Sequence, residues 1–220
     1  MTLSAERHAA HDPDDFAGTL DNRPLLLVDA DEVLLRFVER LERYLESQGL
    51  LLRLDSFRLS GNIFTRDSGA PVPPAHTKGL ISDFFDACVD DIDAVPDAAA
   101  ALDRLSGAYR IAILSNVPAR CRDRRAAALA GHGMAFPVLA NSGEKGPVVR
   151  SLADRTQGPV VFIDDLPPQV SSVAAHAPET HRIHSVADPR LARLIGKAEH
   201  AHIRLDDWTA LEAHLFGLLA

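Results

Sequence analysis

Residues 25–33 read Leu25-Leu26-Leu27-Val28-Asp29-Ala30-Asp31-Glu32-Val33, an unbroken apolar run followed by two aspartates one residue apart. A continuous apolar run suits a strand covered on both faces, as strands of parallel sheets are. The switch to acidic side chains marks where that strand ends, and open parallel sheets bind ligands beyond the carboxyl ends of their strands. Asp29 and Asp31 therefore stand where chemistry is to be sought.

The pattern returns downstream. Ile111-Ala112-Ile113-Leu114 runs into Ser115-Asn116, and Val160-Val161-Phe162-Ile163 runs into Asp164-Asp165. Weaker strands are predicted over 137–140 and 182–186, with helices over 120–130 and 147–155 between them. Apolar strands alternating with amphipathic segments define an α/β fold, a Rossmann-like three-layer core around a parallel sheet.

The stretch after the first strand breaks the alternation. Leu34, Val38, Leu41 and Leu45 recur at helical spacing with charges on the other faces, and Gly49 is the expected stop. A Gly- and Pro-punctuated stretch from Ser60 to Pro74 is poor helix or sheet material, and a second helix follows over about 77–90. The boundaries that result are a loose N-terminal tail over 1–22, a core over 23–33 and 96–220, and a mostly helical insertion over 34–95.

Composition narrows the function classes. With 220 residues, 46% hydrophobic and 25% charged, the chain can bury a core without disulfide or metal staples. Acids outnumber bases 31 to 23, for a net charge of −8, which argues against a nucleic-acid polymer as partner. No apolar run approaches the roughly 20 residues that span a bilayer, so no membrane partner is expected. Cys88 and Cys121 are too few for a disulfide framework, and the polar N-terminus has no apolar signal core. A cytoplasmic location is expected, while the oligomeric state is left open.

Two acidic pairs at two strand ends make an oxygen-rich site suited to Mg²⁺. A single such Asp would be read as a helix cap or loop start; two pairs make that reading the weaker one. Ser115 and Asn116 are short hydrogen-bonding side chains able to grip a phosphoryl oxygen. Lys145, in Ser142-Gly143-Glu144-Lys145-Gly146-Pro147, precedes a helix and supplies a cation.

In this order, Asp29-x-Asp31, Ser115, Lys145 and Asp164-Asp165 resemble the motifs of the haloacid dehalogenase-like superfamily, over nearly the whole chain from about Pro24. The long first gap is where members of that superfamily carry a helical cap. The resemblance implies a Mg²⁺-dependent hydrolase of a small phosphorylated metabolite, working through an aspartyl-phosphate. Asp29 would be the nucleophile and Asp31 the acid and then the base. Ser115 would orient the phosphoryl group, and Lys145 would offset its charge. The metal would be held by Asp29, the Asp31 backbone carbonyl and Asp165, with Asp164 close by. Asp31 favours phosphoryl chemistry over dehalogenation, because a leaving halide needs no acid. Phosphotransfer or phosphomutase chemistry on the same intermediate is the enzymatic alternative.

Two positions depart from the superfamily's pattern: Glu32 stands where Gly is usual, and Gln169 where Asp or Asn is usual. They motivate a rival reading, a non-catalytic binding protein on the same scaffold. In the insertion, Phe57-Arg58-Leu59-Ser60-Gly61-Asn62-Ile63-Phe64 mixes aromatic, cationic and amide groups. Arg58 and Asn62 either meet the leaving group or only stabilise the insertion. The pairs His181/His184 and His200/His202 read as solvated surface histidines. Cys121 sits among Arg120, Arg122, Arg124 and Arg125, which would lower its thiol pKa and otherwise form a solvated helix face. Trp208 is expected to anchor a C-terminal helix capped by Asp206 or Asp207.

Overall fold

The structure is a computed structural model that describes residues 13–219. Its centre is β1 (Leu25–Val28), flanked by β4 (Arg110–Ser115) and β6 (Val160–Asp164). With β5 (Val138–Ala140), β7 (His181–His184) and β8 (Ile203–Arg204) they form a six-stranded sheet in the order β5-β4-β1-β6-β7-β8. Every pairing in it is parallel. Register matters most at the centre: Val28 lies opposite both Ile113 and Ile163, so the three apolar runs end at one level. The polar residues that follow each run consequently emerge side by side.

Side chains alternate across the sheet, as the two-residue period of a strand requires. Leu25 and Leu27 pack with α1 (Pro13–Ala17), α6 (Gly146–Ala153) and α7 (Pro167–His176). Leu26 and Val28 face α4 (Ala98–Leu105), α5 (Arg122–Gly131) and α9 (Trp208–Gly217). A short α8 (Pro189–Ala192) follows β7. The result is a three-layer α/β core. No helix among the described residues is long and apolar enough to cross a membrane.

Between β1 and α4 the chain forms α2 (Phe37–Ser47), a ribbon of β2 (Leu50–Leu52) and β3 (Ile63–Thr65), and α3 (Pro74–Cys88). Its outgoing and returning segments pair with each other: the Val95 amide donates to the Leu34 carbonyl at 2.8 Å, and the Arg36 amide to the Asp93 carbonyl at 2.9 Å. Leu34, Val38, Leu41 and Leu45 are buried, as their spacing predicts. Phe37 and Phe84 meet edge to face at 5.1 Å, joining α2 to α3.

The structure corrects four expectations. Part of the Gly/Pro-rich stretch is sheet, because Ile63 and Phe64 pair with Leu52 and Leu51. The loose tail expected over 1–22 does not extend through 13–17: these residues form α1, and Phe16 is fully buried against the sheet. Residues 1–12 lie outside the described part. The arginine-rich segment leading into α5 is a docking face, with Arg120 2.7 Å from Asp86 on α3 and Arg124 2.8 Å from Asp90 just beyond it. Lastly, burial and a contact with Asp86 raise the Cys121 thiol pKa, where a lowering was expected, since the arginines are already paired with aspartates.

Trp208 does anchor the C-terminal helix, and Asp207 is the residue that caps it, accepting from the Ala210 amide at 2.8 Å. Removing an aromatic ring from a fully buried site costs about 3–5 kcal/mol. Phe16→Ala is accordingly expected to lower the unfolding free energy by that amount in a denaturant titration. A change below about 1 kcal/mol would mean that α1 is not docked.

Candidate active site

At the end of β1 the backbone leaves the sheet in one wide turn. The Ala30 carbonyl accepts the amides of both Leu34 and Leu35, at 2.9 Å each. Glu32 sits inside this turn at φ +58°, a left-handed conformation that costs a non-glycine residue about 1 kcal/mol or more. Its own side chain offsets that cost. One carboxylate oxygen accepts the Val38 amide at the start of α2, at 2.7 Å, and the other accepts the Asp188 amide at 3.0 Å. Glu32 thus replaces the flexibility of a glycine with a three-way fastening of turn, insertion and core. Burial lifts its carboxyl to about 7, with the two amides opposing the rise.

The strand ends converge as the register requires. Asp29, Asp164 and Asp165 are buried, with carboxylate oxygens within 4.8 Å of one another. The Lys145 ammonium reaches between them, 2.6 Å from Asp29 Oδ1 and 2.7 Å from Asp164 Oδ2. Burial disfavours the charge on Lys145, but Asp164 and Asp29 outweigh it and hold its pKa above the ordinary lysine value. Desolvation raises Asp164 and Asp165, and for Asp165 the neighbouring Asp164 and Asp29 add to the rise. The other Asp164 oxygen accepts the Leu166 amide at 2.9 Å, so both of its oxygens are engaged. Among the described residues nothing donates to the Asp165 carboxylate. A cluster of three buried carboxylates with one ammonium has an excess of negative charge, and its donors are all oxygen. That set fits a hard divalent cation such as Mg²⁺, with Asp29 and Asp165 as the carboxylates left open to hold it.

Lys145 is placed by a small set of neighbours. Its amide donates to Gln169 Oε1 at 2.8 Å, while Gln169 Nε2 donates to the Gly143 carbonyl at 3.0 Å. That carbonyl also accepts from Asn116 Nδ2 at 2.9 Å, and Gly143 presents it from a left-handed φ of +85°. Gly146 lets the loop approach α7: a Cβ there would stand 2.4 Å from the Ser172 carbonyl oxygen. Ser115 is fully buried at the end of β4, where its Oγ accepts the Val117 amide at 3.3 Å. Its hydroxyl hydrogen finds no acceptor among the described residues.

Two supporting residues escaped the sequence reading. Arg125 is fully buried, its Nη1 2.9 Å from Asp31 Oδ1 and its guanidinium carbon 5.7 Å from the Phe85 ring centre. Burial raises Asp31 above the usual carboxylate range, and Arg125 opposes the shift. The signal was present: Cys121, Arg125 and Leu129 recur every four residues on one helix face, and all are buried. The second is His184, which is buried in β7 and not on the surface. Its Nδ1 accepts the Ala198 amide at 3.2 Å, which leaves Nε2–H to donate to the Asp165 carbonyl at 2.9 Å. The neutral imidazole, favoured by burial, so holds the backbone that carries Asp165. His181, also expected at the surface, packs with His202 and His214 beneath the far end of the sheet.

Above the carboxylates lies a cavity of about 230 Å³. Asp29, Asp31, Lys145, Asp165, Asn116 and Gln169 line it from the core, and Phe57, Arg58, Leu59 and Phe85 from the insertion. Arg58 is therefore placed to meet a bound molecule. Asn62 is not: it is buried outside the cavity lining, and its Nδ2 donates to the carbonyls of Ser56 and Arg58 at 2.8 and 2.7 Å. Of the two readings open for Asn62, bracing the loop is the one the structure supports. The other sequence-derived residues, Asp29, Asp31, Lys145, Asp164 and Asp165, do come together.

A parallel sheet ordered β5-β4-β1-β6-β7-β8, an insertion directly after β1 and aspartates at the ends of β1 and β6 define the haloacid dehalogenase-like fold. Solved structures agree. A haloacid dehalogenase-like protein of unknown function from Agrobacterium tumefaciens matches with TM-score 0.58 at 16% identity, over 89% of this chain and 99% of that one. A haloacid dehalogenase family hydrolase from Deinococcus radiodurans, with bound phosphate and sodium, matches with TM-score 0.57 at 18% identity, over 90% and 97%. A dehalogenase matches with TM-score 0.59 at 12% identity, over 89% and 98%. No family model and no curated protein matches the sequence.

The site generates two expectations. The folded chain binds protons on Glu32 that the unfolded chain has released, between the ordinary 4.5 and about 7. Stability therefore falls as pH rises through that window, and the raised Asp164 and Asp165 act in the same direction. Because the depressed His181, His184 and His202 oppose this trend, the comparison is with Glu32→Gln: in chelator the melting temperature of wild type relative to Glu32→Gln is expected to fall from pH 5 to pH 7, and a relative rise would contradict the assignment. Separately, Arg125→Met leaves the Asp31 carboxylate without its cation and is expected to cost about 3–5 kcal/mol in chemical denaturation.

Proposed function

We propose that the chain is a Mg²⁺-dependent phosphomonoesterase acting on a small phosphorylated metabolite through a phosphorylated Asp29. The observation that carries this reading is the convergence of Asp29, Asp165 and Lys145 beneath a cavity, with Asp31 beside them on a buried arginine. A metal held by Asp29 and Asp165, with Asp164 adjacent, would supply the charge that lets a carboxylate approach a phosphate dianion.

The residues then divide the work. An Asp29 carboxylate oxygen attacks phosphorus, forming a P–O bond to the carboxylate while the bond to the ester oxygen breaks. Asp31, whose raised pKa favours the protonated form, gives its proton to the departing alkoxide. As a carboxylate it then takes a proton from the water that attacks phosphorus and releases Asp29. Lys145 offsets the growing charge, and Ser115, buried outside the cavity lining, supports the end of β4 through the Val117 amide. Asp31 also separates this chemistry from dehalogenation, in which the leaving halide needs no proton. On this reading Glu32 and Gln169 serve the site as supports: Glu32 fastens the turn, and Gln169 places Lys145.

The test is release of inorganic phosphate from a generic phosphomonoester with Mg²⁺. Wild type is expected to turn over, and Asp29→Asn to lose at least about a thousandfold in kcat while remaining folded by circular dichroism at the assay temperature. Undiminished activity in Asp29→Asn would refute the reading. Recovery of the phosphoryl group on an added alcohol, with no inorganic phosphate, would replace it with phosphotransfer.

A further inference from the structure

We infer that the ester's leaving group is an apolar alcohol about the size of one ring, and not a sugar or other polyol. The inference rests on the phosphomonoesterase reading and concerns the apolar part of the cavity lining. That part includes Phe37, Leu54, Phe57, Leu59, Phe85 and Leu191, drawn from α2, the ribbon loop, α3 and α8. Phe37 and Phe85 are already packed against each other at 5.8 Å, so the aromatic wall is preformed.

The polar side chains lining the cavity point the same way, because part of their hydrogen-bonding capacity is already spent on the protein itself. Both oxygens of Glu32 accept backbone amides. Asn116 donates to the Gly143 carbonyl and accepts from Asn141, and Gln169 accepts from the Lys145 amide and donates to the Gly143 carbonyl. The open groups on the floor, Asp29, Asp31, Asp165 and Lys145, are the ones the phosphoryl group and its metal require. Arg58 alone among the lining residues from the insertion offers a polar side chain. Several hydroxyls entering this space would lose water and find few partners, whereas a hydrocarbon ring would exchange water for the apolar wall. The volume, about 230 Å³, lies below the usual range for drug-sized ligands and suits a phosphoryl group with one ring-sized body.

The experiment compares benzyl phosphate with glucose 6-phosphate and glycerol 3-phosphate on the full chain with Mg²⁺, reading phosphate release. All three are esters of alcohols of comparable acidity, so the comparison reports recognition and not leaving-group chemistry. Benzyl phosphate is expected to show kcat/KM at least about tenfold above either polyol ester. Phe57→Asn and Leu54→Asn are expected to bring that ratio toward unity, mainly by raising KM for benzyl phosphate. Equal turnover, or preference for a polyol ester, would overturn the inference and leave the phosphomonoesterase reading standing. Absence of turnover on all three esters, with folded protein and Mg²⁺ present, would overturn both.

Discussion

One ammonium group between two carboxylates holds the candidate site together. Asp29 and Asp164 come from different strands and would repel each other at this separation in a dry environment. Lys145 lies within hydrogen-bonding distance of both, and burial strengthens each attraction because little water is present to screen it. The sheet brings the acids close by register, the 141–146 loop brings the cation, and Gln169 and Gly146 fix that loop against α7. Each of these features would lack a purpose without the ion triplet they assemble.

A similar economy governs the seam between core and insertion. Glu32 occupies a backbone conformation that favours glycine, yet its carboxylate ties the turn to α2 and to the 187–188 segment. The Trp208 indole nitrogen donates to the Val33 carbonyl at 2.9 Å, so the C-terminal helix also grips this turn. Ion pairs from Arg120 to α3, from Arg124 to Asp90 just beyond it, and from Arg190 to Glu42 on α2 close the flanks. Exposed pairs of this kind contribute roughly 0–1 kcal/mol each, so they set the orientation of the insertion more than its stability.

Local pattern made much of this legible. Apolar runs ending in acids gave away β1 and β6, because a strand buried on both faces has no room for polar residues until it ends. The helix beginning near Phe37 was readable from four leucine and valine positions. What local pattern obscured were residues whose partners are distant in the chain. Arg125 looked like one more cation in a basic run, although its partner Asp31 lies nearly a hundred positions earlier. His184 looked like half of a surface pair, while its proton is committed to the Asp165 backbone. The β2–β3 ribbon was hidden by glycines and prolines around it, since two three-residue strands carry almost no periodic signal.

The alternating strands and helices of the three-layer core and the acids that end β1 and β6 follow from the amino-acid sequence by itself, because strand burial and strand termination are short-range properties of composition. The function of each polar side chain in the insertion and the turn was decided only by tertiary structure. Asn62 became a loop brace, Arg58 a cavity wall, Glu32 a fastening and Asn116 a prop for the lysine loop. A hydrogen bond is directional and reaches about 3 Å, so which group receives it depends on where distant parts of the chain come to rest.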